Sequence, residues 1–261
     1  MIDFHNHIIP NVDDGSKNIR MSIRMIKNAA EMGITKIVST THYNHPTMKE
    51  RFPNFDNINS ELDQLKKEMI SNKLTIEIVS SAEVYFNEDI INFYNNDSII
   101  IGKKYMLIEF DFNLLPKNYE RILFELQLKG ITPIIAHPER YTFVQKDYSI
   151  INEWINRDYI LQLSCGSIFD QFGSSALYSA KKIIKNGHFH LVGSDAHNDS
   201  NRNFCLKPFL NFLKKNGGEN NVDILMKNAN KLYNKNKLDK CSPLIKKSIF
   251  NFSFFGGKKT G

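Results

Sequence analysis

The chain has 261 residues, of which 41% are hydrophobic and 24% are charged, and this composition fits one globular domain with a sizeable core. Three cysteines without a Cys-x-x-Cys pair exclude a disulfide scaffold and disfavour a thiolate metal cluster, so we expect a reduced, cytoplasmic protein. The net charge of +6 is scattered over helical stretches and a basic C-terminal end, which indicates a solvated surface and no nucleic-acid partner.

Two kinds of hydrophobic segment are not expected. The first residues lack the basic region and the continuous apolar stretch of a secretory signal. No apolar run approaches the roughly 20 residues that cross a bilayer, so we predict no transmembrane segment.

Short apolar, β-branched runs alternate with longer segments of helical spacing. Helices are predicted at 19–32, 119–129 and 176–186, and the glycine-containing junction after each recurs as "EMGITKIV", "LKGITPII" and "KNGHFHLV". This rhythm is typical of βα units that build a parallel sheet. The predicted strands are 1–4, 34–39, 74–79, 105–110, 131–136, 159–163 and 189–193.

The predicted fold class is α/β, as a distorted (β/α)7 TIM-like barrel, with an open doubly wound sheet as the alternative. We place a single barrel domain at 1–238 and a basic, phenylalanine-rich tail at 239–261.

Metal-binding residue types follow nearly every predicted strand. The carboxyl ends of parallel strands meet at one face, so these side chains are expected to converge on one patch. Strand six has no such residue and offers Gln162 and Ser164 instead. The candidate ligands are His5, His7, His42, Glu83, Glu109, His137, Asp195 and His197, together with an aspartate of the "DDG" stretch, Asp13 or Asp14.

This set of side chains suits more than one metal ion. Imidazole and carboxylate ligands without thiolate favour a catalytic zinc, manganese or iron site. The His-x-His spacing places His5 and His7 on one side of an extended chain. Because the set exceeds the roughly four to six positions around one ion, we predict two or three ions with a bridging carboxylate. Such ions about 3.5–4 Å apart serve phosphoryl transfer.

Three other histidines are interpreted as structural. His188 and His190 precede or lie inside a strand, away from its carboxyl end, and His45 is placed with them. Asp13 is interpreted as a turn residue before Gly15.

Two arginines follow candidate ligands closely. Arg140 stands in "HPER" after His137, and Arg202 follows His197. A guanidinium binds phosphate oxygens bidentately, so either arginine could hold a phosphoryl group. The sequence has no P-loop or GxGxxG pattern, and Cys165 lacks the downstream arginine that a cysteine-nucleophile phosphatase needs.

The stretches "MIDFHNHIIPNVDDG", "STTHY", "SAEVYF", "LIEF", "GITPIIAHPERY" and "VGSDAHN" resemble, in order and register, the metal-dependent protein-tyrosine phosphatases of the polymerase and histidinol phosphatase (PHP) superfamily. These bacterial enzymes are encoded with capsule and exopolysaccharide systems. The resemblance implies a trinuclear site, usually loaded with manganese, although iron, zinc, cobalt or magnesium would also fit. It also implies hydrolysis of phosphotyrosine on the tail of a cognate bacterial tyrosine kinase.

The resemblance also assigns roles to residues. It implies that Asp14, and not Asp13, is the ligand in "DDG", and that Arg140 and Arg202 contact the phosphate. The implied first metal group is His5, His7, Glu83 and Asp195, the second is Glu83, Glu109 and His137 with Glu83 bridging, and the third is Asp14, His42 and His197.

The hypothesis is that a metal-bound hydroxide attacks phosphorus in line, without a covalent phospho-enzyme. A small-molecule phosphomonoesterase, such as a histidinol-phosphate phosphatase, is the first alternative. A metal-dependent nuclease and a non-catalytic scaffold are further alternatives. The tail carries Phe250, Phe252, Phe254 and Phe255 among lysines, so it could contact a membrane surface or a partner, or be disordered.

Overall fold

Parallel strands form a nearly closed barrel in this computed structural model, which describes residues 1–48, 52–233 and 236–244. The 7-stranded sheet follows the chain order, and each strand pairs in parallel with the next. The first and last strands meet where Asn6 bridges Ala196 and Asp195 N donates to His5 O at 2.7 Å. The predicted barrel is therefore confirmed. Its strands are β1 (Ile2–Asp3), β2 (Lys36–Tyr43), β3 (Glu77–Tyr85), β4 (Tyr105–Glu109), β5 (Thr132–Ala136), β6 (Ile160–Ser164) and β7 (Leu191–Gly193).

Helices connect the strands and surround the barrel. The first shows why these segments are helical: Asn18 caps its N-terminus by accepting from Met21 N, apolar side chains such as Ile23 and Ile26 are buried, and Gly33 follows with φ +80°. The three helices predicted from the sequence are all present. The helices are α1 (Ile19–Glu31), α2 (Phe55–Ser71), α3 (Tyr119–Leu128), α4 (Thr142–Lys146), α5 (Ser149–Asn156), α6 (Ser174–Asn186), α7 (Leu206–Lys215) and α8 (Glu219–Tyr233).

Two strands extend further than the sequence predicted. The apolar runs end at Ser39 and Val79, but β2 and β3 continue to Tyr43 and Tyr85. They do so because the two strands pair with each other in register, so that His42 lies opposite Glu83. Both residues are therefore held by strand backbone, which fixes them better than a loop would.

The barrel interior is polar at the carboxyl-terminal ends of the strands, which form its mouth, and apolar deeper inside. Val38, Leu107 and Ile134 belong to a buried apolar cluster that also contains Ala229 and Leu232 of α8. Side chains two residues apart along a strand share a face, so Val38 lies below His42, and Leu107 lies below Glu109. The apolar cluster thus supports the polar mouth from beneath.

Residues 236–244 run back along the barrel. Leu238 and Cys241 are buried, and Cys241 N donates to Phe189 O at 2.8 Å. The rest of the predicted tail, with its phenylalanines, lies outside the described residues. Among the described helices, none combines the length and the hydropathy that a membrane-spanning helix requires.

Candidate metal centre

The candidate ligands come together at the carboxyl-terminal mouth of the barrel. His42, Glu83 and Glu109 lie on the neighbouring strands β2, β3 and β4, while the others follow β1, β5 and β7. All are buried except Asp14, whose side chain is 50% exposed at the rim. The residues that the structure brings together are His5, His7, Asp14, His42, Glu83, Glu109, His137, Asp195 and His197.

Glu83 is at the centre of this arrangement. Its Oε2 lies 3.0 Å from His5 Nε2, 3.3 Å from His7 Nε2 and 3.5 Å from His42 Nδ1. Its Oε1 lies 3.0 Å from His137 Nε2. One carboxylate therefore faces imidazoles on two sides, which is the geometry that a bridging ligand needs.

Asp195 also presents its two oxygens to different groups. Oδ1 lies 3.5 Å from His5 Nε2 and 3.4 Å from His197 Nδ1. Oδ2 accepts from Arg140 Nη1 at 2.5 Å and from Arg202 Nη2 at 2.9 Å. Burial alone would raise the pKa of Asp195, but His197 and Arg140 outweigh it and hold that pKa well below its usual range.

The "DDG" stretch brings a further carboxylate from the rim. Asp14 Oδ1 lies 3.5 Å from His42 Nε2 and 3.4 Å from His197 Nε2. The structure thus has a group of possible metal-binding atoms from His7, Asp14, His42 and His197, beside two groups that contain Glu83 and one of His42, His45 and Glu109.

Buried acceptors fix the tautomers of three imidazoles. His5 Nδ1 lies 2.9 Å from Gln162 Oε1, His7 Nδ1 lies 2.7 Å from Asp13 Oδ2, and His197 Nδ1 lies 2.9 Å from Asp195 O. Each of these oxygens accepts, so each neutral ring carries its hydrogen on Nδ1. In this neutral form the Nε2 lone pairs can bind metal, the usual arrangement of histidine ligands. Burial alone would lower the pKa of His5 and His7, but Glu83 and Asp13 outweigh it and raise both, so a bound cation would take the place of a second ring hydrogen.

Asp13 therefore does more than the turn predicted for it. It does form the turn, since its Oδ1 accepts from Gly15 N at 2.9 Å, but its Oδ2 also orients His7. Gly15 is required here because a Cβ atom would lie 2.2 Å from His7 O. A glycine directly after the two aspartates indicates that this turn packs closely against the preceding chain at His7, and the sequence analysis did not use that indication.

His45 also lies at the site, although it was interpreted as a structural histidine. Its Nε2 is 3.6 Å from Glu109 Oε2, and its ring is 4.8 Å from that of His42. Its Nδ1 accepts from Thr47 N at 3.3 Å, so the neutral ring carries its hydrogen on Nε2. His45 thus presents a donor where His5, His7 and His197 present lone pairs. His188 and His190 lie away from the site. His188 Nδ1 is hydrogen-bonded to the Tyr148 hydroxyl, and His190 Nδ1 accepts from Leu161 N.

The electrostatics favour neutral imidazoles at two of the candidate ligands. Burial, aided by Arg140, lowers the pKa of His137 to about 4. Burial and the neighbouring His7 lower the pKa of His42 to about 4 as well. Both rings are therefore uncharged at neutral pH, which is the form that binds metal.

The donor set fits metal ions. His5 Nε2, His7 Nε2, His42 Nδ1 and Glu109 Oε2 are buried and have no hydrogen-bond partner of good geometry in the described part of the chain. Buried polar atoms are normally paired, whereas these atoms lie 3.0 to 3.6 Å from a carboxylate or imidazole atom of the cluster without the alignment of a hydrogen bond. Bound cations would satisfy them together.

Two candidate ligands are in a strained backbone conformation. His137 has φ +31° and Asp195 has φ +52°, in the left-handed region that non-glycine residues rarely adopt. Pro138 disfavours helical conformations for the residue before it, which adds to the strain at His137. Such residues cost about 1–3 kcal/mol each and occur mainly at functional sites.

The sequence matches a family described as capsular polysaccharide synthesis, CpsB/CapC, over residues 1–234. The chain belongs to this family. CapC of Staphylococcus aureus is 32% identical over 93% of this chain and 95% of its own length. The tyrosine-protein phosphatase YwqE of Bacillus subtilis is 30% identical over 98% of this chain and 100% of its own length.

Solved structures of the CpsB/CapC family share the fold. A chain from the crystal structures of YwqE from Bacillus subtilis and CpsB from Streptococcus pneumoniae, described as unique metal-dependent tyrosine phosphatases, superposes with a TM-score of 0.85. It is 29% identical and covers 94% of this chain and 100% of its own length. The resemblance inferred from the motifs is confirmed.

Proposed function

We propose that this chain is a metal-dependent protein-tyrosine phosphatase that hydrolyses phosphotyrosine. The observation that carries the proposal is the cluster around Glu83, where buried imidazoles with fixed tautomers and two arginines converge on the same group of carboxylates. The activity named for YwqE and CpsB supports it.

We further propose two or three manganese ions. His5, His7, Glu83 and Asp195 would hold the first, and Glu83, Glu109 and His137 would hold the second. Asp14, His42 and His197 would hold the third. Imidazole and carboxylate ligands accept iron, zinc, cobalt or magnesium as well, so the availability of metals in the cell selects among them. When bound, such ions acidify water and neutralise phosphate oxygens.

The chain's own residues position the substrate. Arg140 and Arg202 would donate to the phosphoryl oxygens and stabilise the charge that develops on them. Gln162 and Asp13 keep His5 and His7 in the required orientation, so the site needs little rearrangement during the reaction. Phenolate leaves readily, so the mechanism requires no dedicated strong acid.

The proposed substrate is the tyrosine-rich tail of a kinase that controls capsule or exopolysaccharide synthesis, and the proposed location is the cytoplasm. Membership of a capsular polysaccharide synthesis family supports this context. Because every proposed ligand except Asp14 is buried, a flexible extended tail would reach the site more readily than a tyrosine within a folded domain.

The test compares Glu109→Ala and His137→Ala with the matched control His188→Gln, which changes a histidine remote from the site. With manganese present, the first two should lose activity on an aryl phosphate and on a phosphotyrosine peptide while remaining folded, and the control should not. Wild-type rates in either alanine variant would contradict the ligand assignment. A higher kcat/KM on histidinol phosphate than on the peptide would favour the small-molecule alternative.

A further inference from the structure

Two aromatic rings and two guanidinium groups alternate beside the metal centre. The Arg140 guanidinium carbon lies 4.7 Å from the centre of the Phe112 ring and 4.2 Å from that of Phe172. The Arg202 guanidinium carbon lies 5.4 Å from the same Phe172 ring. Phe172 is thus shared by both arginines, and Arg140 lies close to two aromatic rings.

These contacts orient the guanidinium groups. A cation lying over an aromatic face within about 6 Å is attracted by the ring, and stacking uses the flat face of a guanidinium. The N–H groups project from its edge and stay available. One N–H group of each arginine reaches Asp195 Oδ2, and Arg202 Nε is buried with no hydrogen-bond partner among the described residues.

Asp195 Oδ2 holds one N–H group of each arginine, but a single shared oxygen does not fix how the two guanidinium groups are turned. They come from different loops, after β5 and after β7, and their positive charges repel each other at the shared oxygen of Asp195. Phe172 belongs to a third segment, between β6 and α6, and contacts both. The ring is therefore a second link between two loops that the Arg140–Asp195 ion pair already connects.

We propose that Phe172 is a positioning residue that holds Arg140 and Arg202 as one phosphate-binding pair. The inference rests on the proposed function, because it assumes that these arginines bind the phosphoryl group. It goes further in assigning the affinity for phosphate partly to a ring that does not itself contact phosphate. Asp195 fixes one N–H group of each arginine, the ring fixes their planes, and the remaining donors face the phosphate oxygens.

The test uses the full, manganese-loaded chain and inorganic phosphate as the probe, titrated calorimetrically. Phe172→Leu should weaken phosphate binding by about tenfold, and Phe172→Tyr, which keeps the aromatic face, should stay within about twofold of wild type. Manganese stoichiometry should be unchanged in both. Phe169→Leu is the matched control, because Phe169 is a nearby exposed phenylalanine without a contact to either arginine among those described, and it should bind phosphate normally.

A double-mutant cycle separates positioning from general packing. Lysine at 202 cannot stack in the same way, so Arg202→Lys and Phe172→Leu together should cost clearly less than the product of their single effects. Three results would each overturn the proposal. The double variant could lose phosphate affinity by the full product of the two single effects, Phe172→Leu could bind phosphate as tightly as the wild type, or Phe172→Leu and Phe172→Tyr could lose equal phosphate affinity. If Phe172→Leu unfolds, Phe172→Met takes its place in the cycle.

The outcome is independent of catalysis. A wild-type protein that binds phosphate through this pair but hydrolyses no aryl phosphate would contradict the proposed function and leave the role of Phe172 intact. A wild-type protein that hydrolyses aryl phosphate with no change in phosphate affinity on Phe172→Leu would contradict only the role of Phe172.

Discussion

Replacing Asp13 by alanine should weaken metal binding, although Asp13 is not proposed as a ligand. Its carboxylate accepts from His7 Nδ1 at 2.7 Å and from His42 N at 3.2 Å. Without it, the His7 ring can rotate or place its hydrogen on Nε2, the atom that faces Glu83. A charge-assisted hydrogen bond contributes about 1.5–3 kcal/mol, and about 1.4 kcal/mol corresponds to a tenfold change in affinity. The expected loss is therefore about 10–150-fold for the most affected ion.

The assay is calorimetric titration of Mn²⁺ into metal-free protein. Asp13→Asn should lie between the alanine variant and the wild type, because an amide oxygen can still accept from His7 Nδ1. Asp63→Ala, an exposed aspartate on α2, is the matched control and should titrate like the wild type. Circular dichroism of the metal-free proteins checks that each variant is folded.

An Asp13→Ala variant that binds manganese with wild-type affinity and stoichiometry would refute the reasoning. It would mean that packing alone orients His7. If Asp13→Ala and Asp13→Asn each bind one manganese ion fewer than the wild type, Asp13 is itself a ligand. The hydrogen bond between Asp13 and Nδ1 of His7 argues against that outcome.

Three further predictions follow from the site and its surroundings. His45→Gln should keep the wild-type number of bound manganese ions, because Nε2 of His45 carries a hydrogen, whereas His42→Gln should lose one; metal analysis of the purified variants decides. Burial lowers the pKa of His190 from its ordinary 6.5 to about 4, so protonation of the unfolded chain should reduce the free energy of unfolding as pH falls from about 6.5 to 4. Urea unfolding should show a smaller loss in His190→Gln over that range. Chelation should lower the melting temperature, and manganese at about 100 times its Kd should restore about 2.7 kcal/mol of unfolding free energy for each ion that binds independently.

The architecture and the location of the site could be predicted because both depend on local patterns. Apolar runs followed by glycine-terminated helices identify βα units, and parallel strands end at one face whatever the details of the loops. That geometry brings His5 beside Asp195 although the residues are far apart in the sequence, and the structure has them 3.5 Å apart. The extension of β2 and β3 was missed because "STTH" and "SSAE" are polar, and strand pairing in a barrel does not require apolar side chains on the mouth-facing side.

Orientation could not be predicted in the same way, since it depends on which atom of a ring meets which partner. His45 and His5 are the same residue type in the same cluster of carboxylates. Thr47 N donates to Nδ1 of His45, which leaves a hydrogen on the Nε2 that faces the site, whereas Gln162 accepts from Nδ1 of His5, which leaves a lone pair on its Nε2. Gln162 stands at the strand that appeared to lack a ligand. Gln162 contacts Nδ1 of His5, the ring nitrogen that faces away from Glu83. A carboxylate at this position would compete for metal, and an apolar side chain would leave Nδ1 unpaired. The amide oxygen accepts the hydrogen of Nδ1 and so fixes the tautomer. The gap in the ligand pattern is therefore part of the candidate metal centre.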